Sequence, residues 1–150
     1  MKKVLLAVLA LGLVGFAGYW TLTATKIWAA LHASRDVADG DAPDLVNGEH
    51  LFYAGACGTC HATPGQDSEK TLGGGLALTS DFGTFHMPNI SPDADNGIGS
   101  WTTAQFITSM RTGTSATGHN QYPAFPYTSF QKMTANDLSD LFGYLKTLPP

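Results

Sequence analysis

Cysteine is scarce in this chain: among 150 residues there are two, Cys57 and Cys60. A structural zinc site would need further thiols or a well-spaced histidine pair beside them, so that reading fails. Nothing strand-like leads into the pair, which excludes a thioredoxin-like dithiol, because such a dithiol sits within a βαβ pattern. Basic charge is short as well. Eight Lys and Arg stand against twelve Asp and Glu, for a formal net charge of -4 and a pI near 5.6. No positive field exists to recruit nucleic acid or an anionic membrane surface. Gly73-Gly74-Gly75 is followed by no P-loop lysine and preceded by no strand, so it does not read as a phosphate cradle. Asp93, Asp95 and Asn96 before Gly97 suggest a calcium loop, but the glycine comes one position early and Ala104 stands where a bidentate glutamate is needed. With 43% hydrophobic and 13% charged residues, the chain is sized for one domain plus an appendage.

What is present centres on Cys57-Gly58-Thr59-Cys60-His61. Two thiols three positions apart, followed at once by an imidazole, is the spacing of c-type haem attachment. Each thiol adds across one vinyl group of the macrocycle, and His61 is left beneath the iron as the proximal ligand. A disulfide between the two cysteines would close a small, strained loop and leave His61 without a role. One covalently bound haem c is expected, held by Cys57, Cys60 and His61.

The N-terminus reads as an export and anchoring segment. Lys2 and Lys3 precede an apolar run over residues 4–20, which continues with only threonines as interruption to Lys26. Roughly twenty helical residues cross about 30 Å of hydrocarbon. A cleaved signal peptide shares the charged start and apolar core. The run is longer than a signal core, no clear A-x-A site follows, and Tyr19, Trp20 and Trp28 suit an interfacial aromatic belt. The expectation is therefore a single-pass anchor in the inner membrane over residues 1–28, with the lysines holding the N-terminus in the cytoplasm. A tether over 29–43, with His32 as a surface residue, leads to a domain over 44–150 on the periplasmic face.

Within the domain, Leu45, Gly48, Phe52 and Ala56 lie near one helical stripe, predicting a first helix from about Asp44 into the cysteine motif. Gly48 offers a close approach for another helix, and His50 falls off the stripe toward solvent. The missing side chains of Gly73-Gly74-Gly75 let backbone pass close to a flat ligand. Thr102 with Gln105 forms a capping box, with Trp101 and Phe106 as its staple, so a helix is predicted over 103–111 and stopped by Gly113. Arg111 is a helix-end cation or a partner for a haem propionate. Thr134 and Asp137 open a last helix, with Leu138, Leu141, Phe142 and Leu145 on its apolar face, ready to cross the first helix near Gly48.

These motifs together resemble the class I cytochromes c. More narrowly, Gly-Gly-Gly-Leu76, Asn89-Ile-Ser-Pro-Asp93, Gly97-Ile98-Gly99-Ser-Trp101, Arg111-Thr-Gly113 and Tyr122-Pro-Ala-Phe-Pro-Tyr127 are similar to haem domains in cytochrome subunits of dehydrogenases for alcohols, gluconate, aldehydes or N-heterocycles. The resemblance implies an all-α fold of helices packed around a covalently attached haem, preceded here by a transmembrane helix. It implies electron transfer rather than catalysis. Electrons would come from a dehydrogenase or another haem and leave toward the respiratory chain, with dehydrogenase, oxidase or other cytochrome subunits as partners. Subunits of this kind often carry two or three haem domains, whereas this sequence holds a single attachment motif. From residue 44 onward four basic residues face nine acidic ones, so a fixed subunit or a partner with a basic face fits better than a freely diffusing carrier. Two other readings remain. An open sixth position would make a gas sensor or peroxidase, and a relay or docking haem would serve an oxidase complex.

The sixth ligand is where the chain departs from the proteins it resembles. The alcohol and gluconate branch has methionine where Phe125 stands, and a phenyl ring cannot bind iron. Met110 lies within a helix and is read as core. His86 and Met87 lie across a long loop, and His119 sits in an exposed turn. Met133 stands on the segment that must pass the distal face and is the expected ligand, although a staple against Leu138 would also explain it. Met87 and a histidine stay open as alternatives.

Overall fold

The computed structural model describes residues 2–24, 42–122 and 124–150. Trp28, His32 and nearly all of the expected tether lie outside the described residues. Helix α1, Lys2–Thr23, has 22 residues and a mean hydropathy of 2.0 in its most apolar window. At about 1.5 Å per residue it spans roughly 33 Å, long and apolar enough to cross a bilayer. None of its residues is buried against protein.

The domain is built on the crossing of α2, Leu45–Ala54, with the C-terminal helix, Ala135–Leu145. Asp44 caps α2 by accepting from the backbone N–H groups of Val46 and Asn47. Gly48 and Phe52 form its buried face, as the stripe predicts, but Leu45 is exposed. At Gly48 the helices touch so closely that an added Cβ would lie 2.7 Å from Tyr144 Cβ and would collide with the Asp140 carbonyl. Polar groups tie the same crossing: Asn47 Nδ2 donates to Asp140 Oδ2 at 2.9 Å and Asp137 Oδ1 at 3.2 Å.

The expected continuous helix from Asp44 into the motif is corrected by the structure. α2 ends at Ala54, Ala56 turns left-handed at φ 52°, and a separate short helix α3, Cys57–His61, begins. The apolar stripe runs on through Ala56 and masks the break, whose one mark in the sequence is Gly55, the C-cap of α2.

A second addition to the helical plan is a hairpin, β1 Ala77–Ser80 with β2 Gly83–His86, paired antiparallel with Leu78 opposite Phe85. Both strands are solvent-facing apart from Phe85, and Phe82 at the tip is 88% exposed. Helix α4, Thr103–Thr112, has the predicted Thr102/Gln105 capping box and ends at Gly113, whose φ of 67° suits glycine. A short α5, Tyr127–Phe130, packs its first ring under Gly113. The C-terminal helix, now α6, opens on the predicted Thr134/Asp137 capping box. Its Phe142 stacks on Phe106 of α4 at 4.7 Å, and its Leu138, Leu141 and Leu145 close the core around Phe52, Leu72 and Ile107.

Candidate functional site

The motif sits on one turn of helix whose entry is forced by Ala56, the only non-glycine residue with positive φ among those described. A β-carbon in that region costs about 1–2 kcal/mol, so surrounding packing must hold it there. Gly58, inside the motif, is buried with its α-carbon facing the Glu69 backbone; a Cβ there would lie 2.6 Å from the Glu69 carbonyl oxygen. Cys57 and Cys60 are both free and half-buried. Burial pushes the Cys57 thiol up to about 11, and the neighbouring Cys60 adds to the rise. The Cys57 sulfur therefore stays a thiol near neutral pH.

His61 Nδ1 lies 2.9 Å from the carbonyl oxygen of Pro88. A carbonyl only accepts, so Nδ1 carries the hydrogen and donates it, leaving the lone pair on Nε2. Such a partner on the second ring nitrogen is how proteins orient a metal-ligating imidazole. Burial holds the His61 pKa below its ordinary value, against the opposing pull of the Pro88 bond, which keeps the ring neutral and able to ligate.

Pro88 is held in place by the glycines. Gly74 N–H donates to the His61 carbonyl at 2.9 Å, Gly75 N–H donates to the Met87 carbonyl at 2.9 Å, and a Cβ on Gly74 would meet the Met87–Pro88 backbone at 2.5–2.6 Å. Gly73 and Gly74 thus admit neighbouring chain atoms, Thr63 and the Met87–Pro88 segment, where a side chain would collide. The loop before them is clamped at Lys70, whose Nζ is 2.8 Å from Glu49 Oε1. Tyr144 donates to that same oxygen at 3.0 Å.

A second wall faces the motif. Phe125 and Phe130 stack at 5.7 Å, the edge of Phe130 lies near Gly55 beside Cys57, and Met133 packs with them against the core. Leu51, Ile90 and Trp101 share this condition, backed by the core on one side and only partly covered on the other. Arg111 Nη2 donates to the Met133 carbonyl at 2.7 Å, while its Nε and the Oε1 of Gln121 are buried without a protein partner. Met110 is buried in α4, as read from sequence. His50, His86 and His119 are exposed, and Met87 stands on the Pro88 side. Three contributors carried no sequence signal: the Pro88 carbonyl, the left-handed Ala56, and the hold of Arg111 on Met133. Backbone acceptors and dihedral choices leave no mark in residue type.

The residues present fit haem c. Two free thiols lie on one helical turn, Nε2 of the adjacent histidine is directed away from its carbonyl support, and a partly uncovered apolar wall lies nearby. The orphaned Nε–H of Arg111 supplies a charged donor suited to a carboxylate at such a group's rim.

Residues 45–149 match the family Cytochrome c. A "Diheme cytochrome c-type" protein of Cereibacter sphaeroides is 44% identical over all of this chain and half of its own length. A subunit of nicotinate dehydrogenase from Pseudomonas putida is 41% identical over 76% of this chain and 9% of that protein. The "Fructose dehydrogenase cytochrome subunit" of Gluconobacter japonicus is 36% identical over 73% of this chain and 22% of that protein. The chain thus spans half or less of the length of these relatives, and the expected resemblance to dehydrogenase cytochrome subunits holds. Motif, imidazole support and family match coincide on one domain, and the chain belongs to the cytochrome c family of electron-transfer proteins, which carry covalently bound haem c.

Proposed function

We propose that this chain is a membrane-anchored, periplasm-facing domain with one haem c, passing electrons from a dehydrogenase or another haem toward the respiratory chain. The observation that carries the reading is the 2.9 Å bond from His61 Nδ1 to Pro88, because it leaves the Nε2 lone pair available to a metal beside two free thiols. Cys57 and Cys60 would hold such a haem through thioether links, with His61 and Met133 as its iron ligands. When bound, the haem supplies reversible one-electron chemistry at iron. The protein's own part is to hold the imidazole neutral and oriented, and to surround the site with Phe125, Phe130 and the core so that water is excluded. Two of the relatives are subunits of dehydrogenases, which supports a dehydrogenase as donor.

Met133 is preferred over Met87 for a geometric reason. Met87 directly precedes Pro88, whose carbonyl backs the imidazole on the Nδ1 side, so its backbone belongs to the wall behind the proximal ligand. Met133 lies with the Phe125 wall, and its backbone is pinned from both sides, by its own N–H to Phe130 and by Arg111 on its carbonyl. Phe125 keeps an open-site reading in view, because its ring adds no donor to that wall. The deciding experiment is the optical spectrum of the reduced protein with and without carbon monoxide. A low-spin spectrum indifferent to the gas supports electron transfer; prompt binding supports a sensor or peroxidase.

A further inference from the structure

We propose that Phe85 and Tyr122 form an aromatic clasp that joins the Pro88 wall to the Phe125 wall and limits solvent and small-molecule entry to the site between them. The proposal rests on the haem reading above. The two rings stack with centroids 4.2 Å apart and planes 23° from parallel. Each ring belongs to a segment tied to a different wall. Phe85 is on β2, and the hairpin root is locked by the Gly75 N–H to Met87 carbonyl bond and the Met87 N–H to Leu76 carbonyl bond, both 2.9 Å. The next residue, Pro88, holds His61. Tyr122 follows Gln121, whose N–H donates to the Gly113 carbonyl at 2.7 Å, and the Tyr122 carbonyl accepts from Phe125 N–H at 3.0 Å. Phe125 in turn stacks on Phe130, beside Cys57.

The hairpin has little else to hold it down. Among the described residues its strands pack on each other and on no other helix or strand. Every strand residue is exposed except Phe85, which is half-buried where it meets Tyr122. Leu78, opposite Phe85 in the pairing, is 48% exposed and Tyr122 is 55% exposed, so the stack is a single layer of apolar cover rather than part of the core. A single layer closed by one ring pair opens at a modest cost, which suits a clasp. An aromatic pair of this geometry shifts such an opening equilibrium by about two- to tenfold.

The test uses full-length holoprotein in detergent, with covalent haem content measured first. Tyr122→Ala is compared with Tyr122→Phe, which keeps the ring, and with Phe82→Ala, an exposed tip residue outside the stack. Two rates are read: amide hydrogen exchange at Gly75 and Met87, and the optical change on adding imidazole as an external ligand. Tyr122→Ala is expected to raise both about two- to tenfold, with Tyr122→Phe and Phe82→Ala staying at wild-type values. If Tyr122→Ala fails to fold, Tyr122→Leu keeps apolar bulk without the ring and is read the same way. Unchanged rates overturn the clasp, and so does faster exchange with unchanged imidazole entry, because the hairpin would then be held without guarding the site. Wild-type protein lacking covalent haem would instead overturn the haem reading, with the exchange rates alone still deciding whether the stack holds the hairpin.

Discussion

A methyl group at position 48 would run into the Asp140 carbonyl and Tyr144 Cβ, both on a rigid helix that cannot yield without moving the core. Gly48→Ala should therefore cost about 1–3 kcal/mol, the range for overpacking, read as a lower midpoint in denaturant with an unchanged slope. Ala56 presents the opposite case. Its left-handed backbone is strained for any side chain, so Ala56→Val should destabilise by at least about 1 kcal/mol, while Ala56→Gly should be neutral or mildly stabilising. At the metal, the proposed ligand pair makes a sharp distinction. Met133→Ala should abolish the weak near-infrared band of thioether ligation and lower the potential, and Met87→Ala should leave both in place; the reverse result would move the distal bond to the Pro88 side. Replacing Cys57 or Cys60 alone should remove one thioether link, and replacing both should yield protein whose haem is extracted by acidified solvent.

The helices carry their own start signals, and α6 shows what these contribute. Thr134 Oγ1 accepts from Asp137 N–H at 3.1 Å and donates to Asp137 Oδ2 at 2.7 Å, so one box satisfies donors at the helix start. Thr134→Ala should cost about 1 kcal/mol. The Asp137 carboxyl is held below the usual carboxylate range, first by Thr134 and also by Asn47 of α2. Asp93, bonded by the Asn96 and Asp95 N–H groups, and Glu49, bonded by Lys70, are lowered too. A depressed native pKa means that protons bind the unfolded chain more tightly. The stability these groups contribute is then complete above the unfolded values, near pH 4, and drains away as pH falls through the lower native values. Asp137→Asn should flatten the decline of unfolding free energy between about pH 5 and 2 relative to wild type. Both capping boxes and the Gly113 stop are legible in the sequence because each is settled within four residues. The break before Cys57 is harder to read, since the stripe runs on to Ala56, where the backbone turns left-handed, and Gly55 alone marks the stop.

For the whole molecule, the expected anchor makes a physical demand. A 22-residue apolar helix with no buried face has only lipid, detergent or another apolar surface to cover it. The protein should stay in the membrane fraction through high-salt washing and be released by detergent; a mature N-terminus near Gly18 or later would show that the segment is a cleaved signal. The sequence by itself determined whatever depends on neighbours along the chain: the Cys57–Cys60–His61 spacing, the apolar length of α1, the capped starts of α4 and α6, and the small residue at Gly48 that permits a helix crossing. Only the tertiary structure decided what meets across long separations. The Pro88 carbonyl reaches His61 from 27 residues away, Arg111 takes the Met133 carbonyl from 22 away, and Phe85 of the hairpin stacks on Tyr122 of a distant loop. Two of these contacts end on a backbone oxygen that every residue possesses, and the third depends on a hairpin whose alternation is too short and too exposed to read. Such pairings are set by how the chain closes on itself, and residue type alone does not encode them.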